Sequence, residues 1–592
     1  MTAPSGPPLG VRRSVSGQEW VWRAAPLPLG EAARLGVDDV TAALLLARGA
    51  DRRDVPRLIR PRLVDWLPDP SAFRDMDRAA ARLADAVERG ERLCLFTDYD
   101  VDGATSAALL LRTLRALGLE PTVWVPDRLL EGYGPSEAAI RAIARAGARL
   151  VVLLDCGSHA HRELAEARAL GLEAIVVDHH QAPTELPPAL AVVNPNRFDE
   201  QADRGIAAAH GTLCTAGLAF LLAVACLREL RRRGRLPDPA PDLGTLLDLV
   251  ALGTVADVMP LSGLNRCFVA LGLRRLARGG NVGLAALLEV AKLARAEAAD
   301  LGFHLGPRIN AGGRIGDSSL GVRLLATDDP AEARALAAEL DRLNRERRRI
   351  EAEVTEAALA ALDPEAPVAV AAGPWHPGVV GIVASRLCQR LDRPAVVIAL
   401  EGTRPARGSA RSVPGIDIGA AMLAARDQGL LLAGGGHAMA AGLTIAPDRI
   451  DELTRFLVDR LGPAVAQRPS QRALPIDLAV APAGLSPDLA EALGKAGPYG
   501  PGWPEPRVAA GPVRVIHARA VGADGAHVQA LAAGPDGGRV RAVLFRGAGT
   551  PAGQALLSGR GRSFHLAGSL GRDDWQGLPR VELRLDDLAP AD

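Results

Sequence analysis

Residues 93–103 read LCLFTDYDVDG, and this stretch decides the fold. The apolar run LCLF is too short for a helix and suits a strand covered on both faces, while the helix-length segment 104–117 follows directly. Working outward, TVWV at 122–125 precedes a helical pattern at 136–146. RLVVLLD at 149–155 precedes another at 161–170, and EAIVVD closes at residue 178. Strands alternating with helices in this way predict parallel βαβ units. Ligands of an open parallel sheet bind beyond the carboxyl ends of its strands, so Asp98, Asp100, Asp155 and Asp178 are expected along one rim.

The remaining chain divides by texture. A mostly helical region at 212–326 contains GTLLDLVALGTVADV, which delivers Asp257 near a helix end. Residues 329–363 carry a charged, alanine-rich pattern expected to form an exposed linker helix. Strand and helix alternate again over 364–465, and from 466 to 592 short strands between Gly and Pro turns predict a small β-barrel of the OB type. The expected fold class is therefore multidomain α/β: a parallel-sheet catalytic domain at 75–328, the linker helix, a second α/β domain, and a C-terminal OB-like barrel. Residues 1–74 are expected to be partly disordered, and the opening MTAPSGPPLGVRRS lacks the apolar core of a signal peptide.

Composition narrows the function classes. Lys plus Arg equals Asp plus Glu at 69 each, which argues against a wholly basic surface and leaves a local basic groove open to a polyanion. Three Tyr and nine Phe are too few for a long platform of stacked rings. The six cysteines form no CxxC pair, which argues for reduced core thiols rather than zinc or disulfides. The longest apolar stretch, 213–227, is too short to span a bilayer, so a soluble cytoplasmic protein without membrane contact is expected.

Asp98, Asp100 and Asp102 crowd three carboxylates into five residues between a strand and a helix, an arrangement that mutual repulsion makes costly unless a cation neutralises it. Taken alone it reads equally well as an acidic turn or a helix cap. Asp155, His179 and His180 at other strand ends tip the balance, because carboxylates mixed with imidazoles suit manganese, iron or zinc better than calcium. Asp257 at a helix C-terminus opposes the macrodipole, a small penalty that a further metal ligand would justify. Such a set can hold two cations that clamp a phosphoryl group.

The segments DYDVDG, LLDCGS, VVDHHQ and TVADVMPL, in this order, resemble the sequential motifs of the DHH phosphoesterase superfamily. PDRLLEGYGP at 126–135, GPRINAGGRIGD at 306–317, WHPGVVGIVASRL at 375–387, GSARS at 408–412, GGGHAMAAG at 434–442 and PYGPGWPEP at 498–506 resemble its branch of bacterial exonucleases specific for single-stranded DNA. The similarity covers the chain from about residue 75 onward. It departs in two small residues, Gly312 and Ala410, where the family usually has Ala and Gly, and in Cys94, where related pyrophosphatases carry a histidine.

The resemblance implies a DHH domain, a connecting helix, a DHH-associated domain and an OB fold enclosing the DNA path. Asp98, Asp100, Asp155, His179 and Asp257 would be metal ligands, with Asp155 bridging. His180 would be a ligand or face the phosphate, and Asp102 and Asp178 would orient ligands. Arg128, Arg308, Asn310, Ser409, Arg411 and His437 would grip phosphates. The implied reaction is 5′-to-3′ hydrolysis of single-stranded DNA with two manganese or magnesium ions, releasing 5′ mononucleotides. Work as a monomer in repair and recombination, beside a single-strand-binding protein and a helicase, is implied likewise. Two rivals share parts of the pattern. A phosphodiesterase for short oligoribonucleotides or cyclic dinucleotides would not need the OB-like tail, and a non-catalytic replication scaffold would tend to lose the carboxylates that are all present here.

Overall fold

The computed structural model describes residues 6–24, 31–128, 130–402, 404–468, 473–522, 524–573 and 580–591. The chain forms two compact units. One comprises Pro68–Met259 and Leu271–Arg468, the other Met1–Leu67, Pro260–Ala270 and Pro469–Asp592.

The larger unit is built on a parallel sheet. Strand β1 (Leu93–Thr97) leads into helix α1 (Val101–Ala116), and β2 (Thr122–Trp124), β3 (Leu150–Leu154), β4 (Glu173–Val177) and β5 (Ala191–Val193) follow. The strand order is β2-β1-β3-β4-β5, every pair parallel. Strands β1 and β3 are buried along their whole length, which explains their unbroken apolar sequences. Helices α2 (Thr215–Arg232), α3 (Leu247–Ala256) and α4 (Gly306–Ile315) come next, then the long helix α5 (Pro330–Ala361).

The second sheet of this unit contains β6 (Ala369–Gly373), followed by helix α6 (Val380–Leu391), then β7 (Ala395–Ala399), β8 (Ala406–Arg411), β9 (Ala433–His437) and β10 (Ala440–Ile445). Its order is β9-β10-β8-β7-β6, with only β6 and β7 parallel. Helix α5, expected to be exposed, buries one face instead. Leu336, Leu340, Leu343, Val354 and Ala358 lie inside, as do Arg347 and Glu351. Its charged composition hid this because the buried stripe includes an ion pair.

The smaller unit is a closed five-stranded barrel of β11 (Val508–Val521), β12 (His527–Ala533), β13 (Arg539–Leu544), β14 (Ser563–Asp573) and β15 (Arg580–Pro590). The order is β11-β12-β13-β15-β14, and β14 pairs back onto β11. A short helix, Pro551–Leu557, fills the connection between β13 and β14, as in an OB fold. The described N-terminal residues, 6–24 and 31–67, belong to this unit. Glu19–Trp22 pairs in parallel with Ala473–Ile476, and the fully buried Trp20 donates to Asp587 at 3.1 Å. Leu44 and Leu45 of the helix Asp39–Ala47 join the barrel core. Residues 1–5 and 25–30 lie outside the described residues. No described helix is long and apolar enough to cross a membrane, and all six cysteines are free and buried.

Candidate active site

The rim of the parallel sheet gathers the expected carboxylates. Asp98 follows β1, and Asp100 caps α1, its Oδ1 accepting the N–H of Asp102 at 2.9 Å and of Gly103 at 3.1 Å. The turn is tight enough that a Cβ on Gly103 would sit 2.4 Å from the Asp98 carbonyl oxygen, so only glycine lets the helix start against the strand end. Asp155, just past β3, is held at φ +63°, an uncommon conformation for a residue with a side chain. The Tyr133 hydroxyl donates to its carbonyl at 2.9 Å, and the Thr215 hydroxyl donates to its carboxylate at 3.1 Å.

Asp102 is fully inside. Its two oxygens accept the N–H groups of Thr215 at 2.6 Å and Ala216 at 2.9 Å, the opening amides of α2, whose positive end favours a carboxylate. Asp178 organises the histidine pair. Its Oδ1 accepts the N–H of His179 at 2.8 Å and of His180 at 3.1 Å and bonds His180 Nδ1 at 2.8 Å, while Oδ2 accepts from Ser158 N at 3.1 Å. The two histidine carbonyls are clamped by Asn196 Nδ2 at 2.6 Å and Asn194 Nδ2 at 2.9 Å.

Three groups of side chains are spaced to share a cation: Asp98 with Asp100 and Asp155, Asp155 with His179 and His180, and Asp102 with His179 and Asp257. Asp155 belongs to two of them. His179 Nε2 lies 3.3 Å from Asp155 Oδ1 and 3.4 Å from Asp257 Oδ2. Among the described residues, Asp98 Oδ1, His179 Nε2 and Asp257 Oδ2 are buried with no hydrogen-bond partner. Buried polar atoms are rarely left so, and donors of these types aimed at one another fit a divalent cation.

The electrostatics agree. Burial and then the charge of Asp100 raise the pKa of Asp98 well above the carboxylate range, and burial followed by the neighbouring aspartates does the same for Asp155. Burial, then Asp102 and Asp100, push Asp257 up to about 9. His179 is pushed down by burial, which keeps a ring nitrogen free to ligate. Burial opposes the charge of His180, but its bond to Asp178 outweighs this and brings the pKa to about 9. Cys94 is held inside β1 as a thiol, pushed up to about 11 by burial, and takes no part.

Beside these side chains lies a cavity of about 410 Å³, lined by Arg128, Arg314, Arg407, Ser409 and Arg411 together with Gly378 just before α6 and Gly381 in its first turn. The Arg128 guanidinium stacks 4.8 Å from the ring of Tyr99, which stands between Asp98 and Asp100. Arg314 donates to the Gly378 carbonyl at 3.1 Å, and burial followed by the charge of Arg128 pushes its pKa down to about 10. Of the expected phosphate contacts, Arg128, Ser409 and Arg411 line the cavity. Arg308, Asn310 and His437 do not. Arg308 pairs with Asp341 of α5 at 2.9 Å, and His437 sits exposed at the end of β9. Sequence reasoning missed Arg314 and Arg407, although both lie inside quoted or adjoining motifs, and missed Thr215, Tyr133, Asn194 and Asn196, whose roles depend on distant partners.

A parallel sheet with a carboxylate and histidine rim, joined through a helix to a second α/β lobe carrying an arginine-lined cavity, defines the class of two-lobed metal phosphoesterases. Family models agree: the DHH family N-terminal domain matches residues 92–254, the DHHA1 domain 365–462 and the RecJ OB domain 476–587. The chain is 36% identical to the single-stranded-DNA-specific exonuclease RecJ of Escherichia coli (strain K12), an alignment covering 87% of this chain and 90% of that protein. It is 35% identical to the RecJ of Bacillus subtilis (strain 168) over 84% of this chain, but spans only 62% of that longer protein. The crystal structure of RecJ in complex with Mn2+ from Thermus thermophilus superposes with a TM-score of 0.78 at 32% identity, covering 96% of this chain and 79% of that one. The chain belongs to the RecJ family.

Proposed function

We propose that the protein degrades single-stranded DNA from the 5′ end, releasing 5′ mononucleotides by hydrolysis with two manganese or magnesium ions. The observation that carries this reading is the juxtaposition of metal ligands and arginine cavity, joined by Arg128 stacked on Tyr99 between Asp98 and Asp100. A terminal 5′ phosphate held by Arg128, Arg314, Ser409 and Arg411 leaves the first phosphodiester to reach the carboxylates, which makes the attack exonucleolytic and sets its polarity.

Asp98, Asp100, Asp155, His179 and Asp257 would hold the ions, with Asp155 shared, His180 beside them and Asp102 within reach of the His179 and Asp257 group. Bound cations supply charge to the scissile phosphate and lower the pKa of water. The chain's own residues orient that chemistry. Asp178 fixes both imidazoles, α2 fixes Asp102, and Thr215 and Tyr133 fix Asp155. The arginines hold the terminal phosphate so that the departing 3′ oxygen belongs to the first nucleotide. The RecJ relatives, named for action on single-stranded DNA, and the OB barrel favour this over a dinucleotide phosphodiesterase. Work beside a single-strand-binding protein and a helicase, as a cytoplasmic monomer, is supported by the family resemblance. The test is digestion of single-stranded DNA, duplex DNA and dinucleotides with Mn2+. Mononucleotides should appear from the 5′ end of single strands only, and preference for dinucleotides would reverse the choice.

A further inference from the structure

Helix α4 rests along the turn that carries the first carboxylates. Near its C-terminus a Cβ on Gly313 would stand 2.9 Å from the Tyr99 backbone oxygen, and the next residue, Arg314, lines the arginine cavity. At its start a Cβ on Gly306 would stand 3.4 Å from the Ala256 Cβ and 3.8 Å from Val101 Cγ2. Tyr99 and Val101 flank Asp100, and Ala256 immediately precedes Asp257. One end of the helix therefore belongs to the cavity and the other lies on the Asp257 side, with the Asp100 turn beneath it.

A π turn, Leu301–Leu305, leads into that second end. Pro307 has no N–H to return to the Phe303 carbonyl, which keeps the turn wider than an α-helix. The turn is firmly mounted. Leu301 and Leu305 are buried, and a Cβ on Gly302 would lie 3.3 Å from Val255 Cγ1 on the last turn of α3. Arg308 donates to the His304 carbonyl at 2.7 Å while pairing with Asp341. Between these anchors Phe303 is 74% exposed, more than any other phenylalanine among the described residues.

A single exposed ring carries little meaning by itself. A second apolar side chain stands at the end of α3, just past the two residues against which the π turn and the start of α4 pack. Val258 is 65% exposed and holds φ at +59°. Its N–H donates to the Val255 carbonyl and that of Met259 to the Thr254 carbonyl, both at 3.1 Å, a Schellman ending whose left-handed position ordinarily goes to glycine. A β-branched residue is strained there, and an exposed one gains little from burial, so stability does not account for valine.

We propose that Phe303 and Val258 seat the base of the second nucleotide, on the 3′ side of the scissile phosphate and across the carboxylates from the cavity that takes the 5′ end. The proposal rests on the exonuclease reading. Eleven residues at about 1.5 Å each set Phe303 and Arg314 roughly 16 Å apart along the helix axis, room for the scissile linkage between them. An aromatic and aliphatic seat accepts every base, because each has an apolar face, but it needs that face unstacked. It therefore grips single strands of any sequence.

Two measurements on the full chain test this. Binding of a 5′-phosphorylated single strand, read by fluorescence anisotropy in buffer free of divalent cations, should weaken about 10-fold or more in Phe303→Ala and stay near wild type in Phe303→Trp. An abasic site at the second nucleotide should cost the wild type a similar factor and cost Phe303→Ala little more. Val258→Gly, relieved of strain, should melt no lower than wild type yet bind the strand several-fold more weakly. With Mn2+, Phe303→Ala should show the same rise as an increase in KM with kcat little changed. Normal binding and KM in Phe303→Ala, an abasic penalty as large in that variant as in wild type, or unweakened binding by Val258→Gly would each overturn the proposal. Strands left undigested by every form of the protein while the binding contrast holds would instead overturn the exonuclease reading and leave the base seat standing.

Discussion

The Thr215 hydroxyl donates to Asp155 at 3.1 Å while the backbone N–H of the same residue donates to Asp102 at 2.6 Å. One residue at the start of α2 thus orients two carboxylates of the proposed metal centre, one of them common to two of the groups spaced to share a cation. Partners of this kind are worth about 10- to 100-fold in metal affinity. Thr215→Val, which keeps the shape and loses the hydroxyl, should weaken Mn2+ binding by about that range in calorimetry. Thr215→Ser should recover most of it. Unchanged affinity in the valine variant would remove Thr215 from the site.

Asp257→Asn should abolish nuclease activity yet stabilise the metal-free protein. Asp257 carries a pKa raised from 3.8 to about 9 in the fold, so ionising it opposes folding. Above a pH of about 9 it is charged in both states and the full cost applies. Below about 4 it is neutral in both and the cost vanishes. The melting-temperature advantage of the asparagine variant should therefore grow as pH rises from 5 to 8 without metal. It should invert with saturating Mn2+, which binds and stabilises only the wild type strongly. An advantage that shrinks with rising pH would contradict the crowded-carboxylate account.

Arg314→Ala should lower kcat/KM on 5′-phosphorylated single strands by about 10- to 100-fold, the loss of roughly 1.5–3 kcal/mol expected for a hydrogen bond to a charged group. Strands with a 5′ hydroxyl should be affected much less, because the guanidinium lines the cavity proposed to hold the terminal phosphate. Equal losses on both substrates would assign Arg314 to the chemistry instead.

What could be read from sequence was local. Asp155 and Asp178 announced themselves because each ends an apolar run, Asp98 and Asp100 because they crowd into the turn after one, and the geometry of a parallel sheet brings strand ends together whatever the loops do. Arg308 and Arg314 show where such reading stops. Both lie in GPRINAGGRIGD, six residues apart on α4, and at 3.6 residues per turn they face different ways. Only the packing of α5 decides that Arg308 meets Asp341 and Arg314 meets the cavity. Trp20 is similar, since its burial against Asp587 joins positions 567 residues apart.

Gly378→Ala should damage the cavity more than its size suggests. A Cβ there would stand 2.3 Å from the Arg314 backbone oxygen, and neither backbone can yield without shifting α6 or α4. The expected outcome is a rise in KM for 5′-phosphorylated strands of about 10-fold or more, the scale of one lost contact to phosphate, with Mn2+ affinity near wild type. A variant with normal KM would show that the two segments separate freely.

Glu351 is the most exacting test of how α5 supports the second lobe. It is wholly buried, accepts from Arg347 at 2.6 Å and pairs with Arg386 of α6, while Arg347 also donates to Asn344 at 2.9 Å. Removing one member of a buried ion pair leaves the others charged and unpaired, at a cost of about 3–5 kcal/mol. Glu351→Ala should therefore lower the melting temperature markedly, whereas Glu351→Gln, which retains an acceptor oxygen, should do so less. Because Arg386 rides on the helix whose first turn walls the arginine cavity, the glutamine variant should also raise KM for 5′-phosphorylated strands with little change in kcat. A normal KM beside a reduced melting temperature would confine Glu351 to stability and separate the anchoring of α6 from recognition of the strand end.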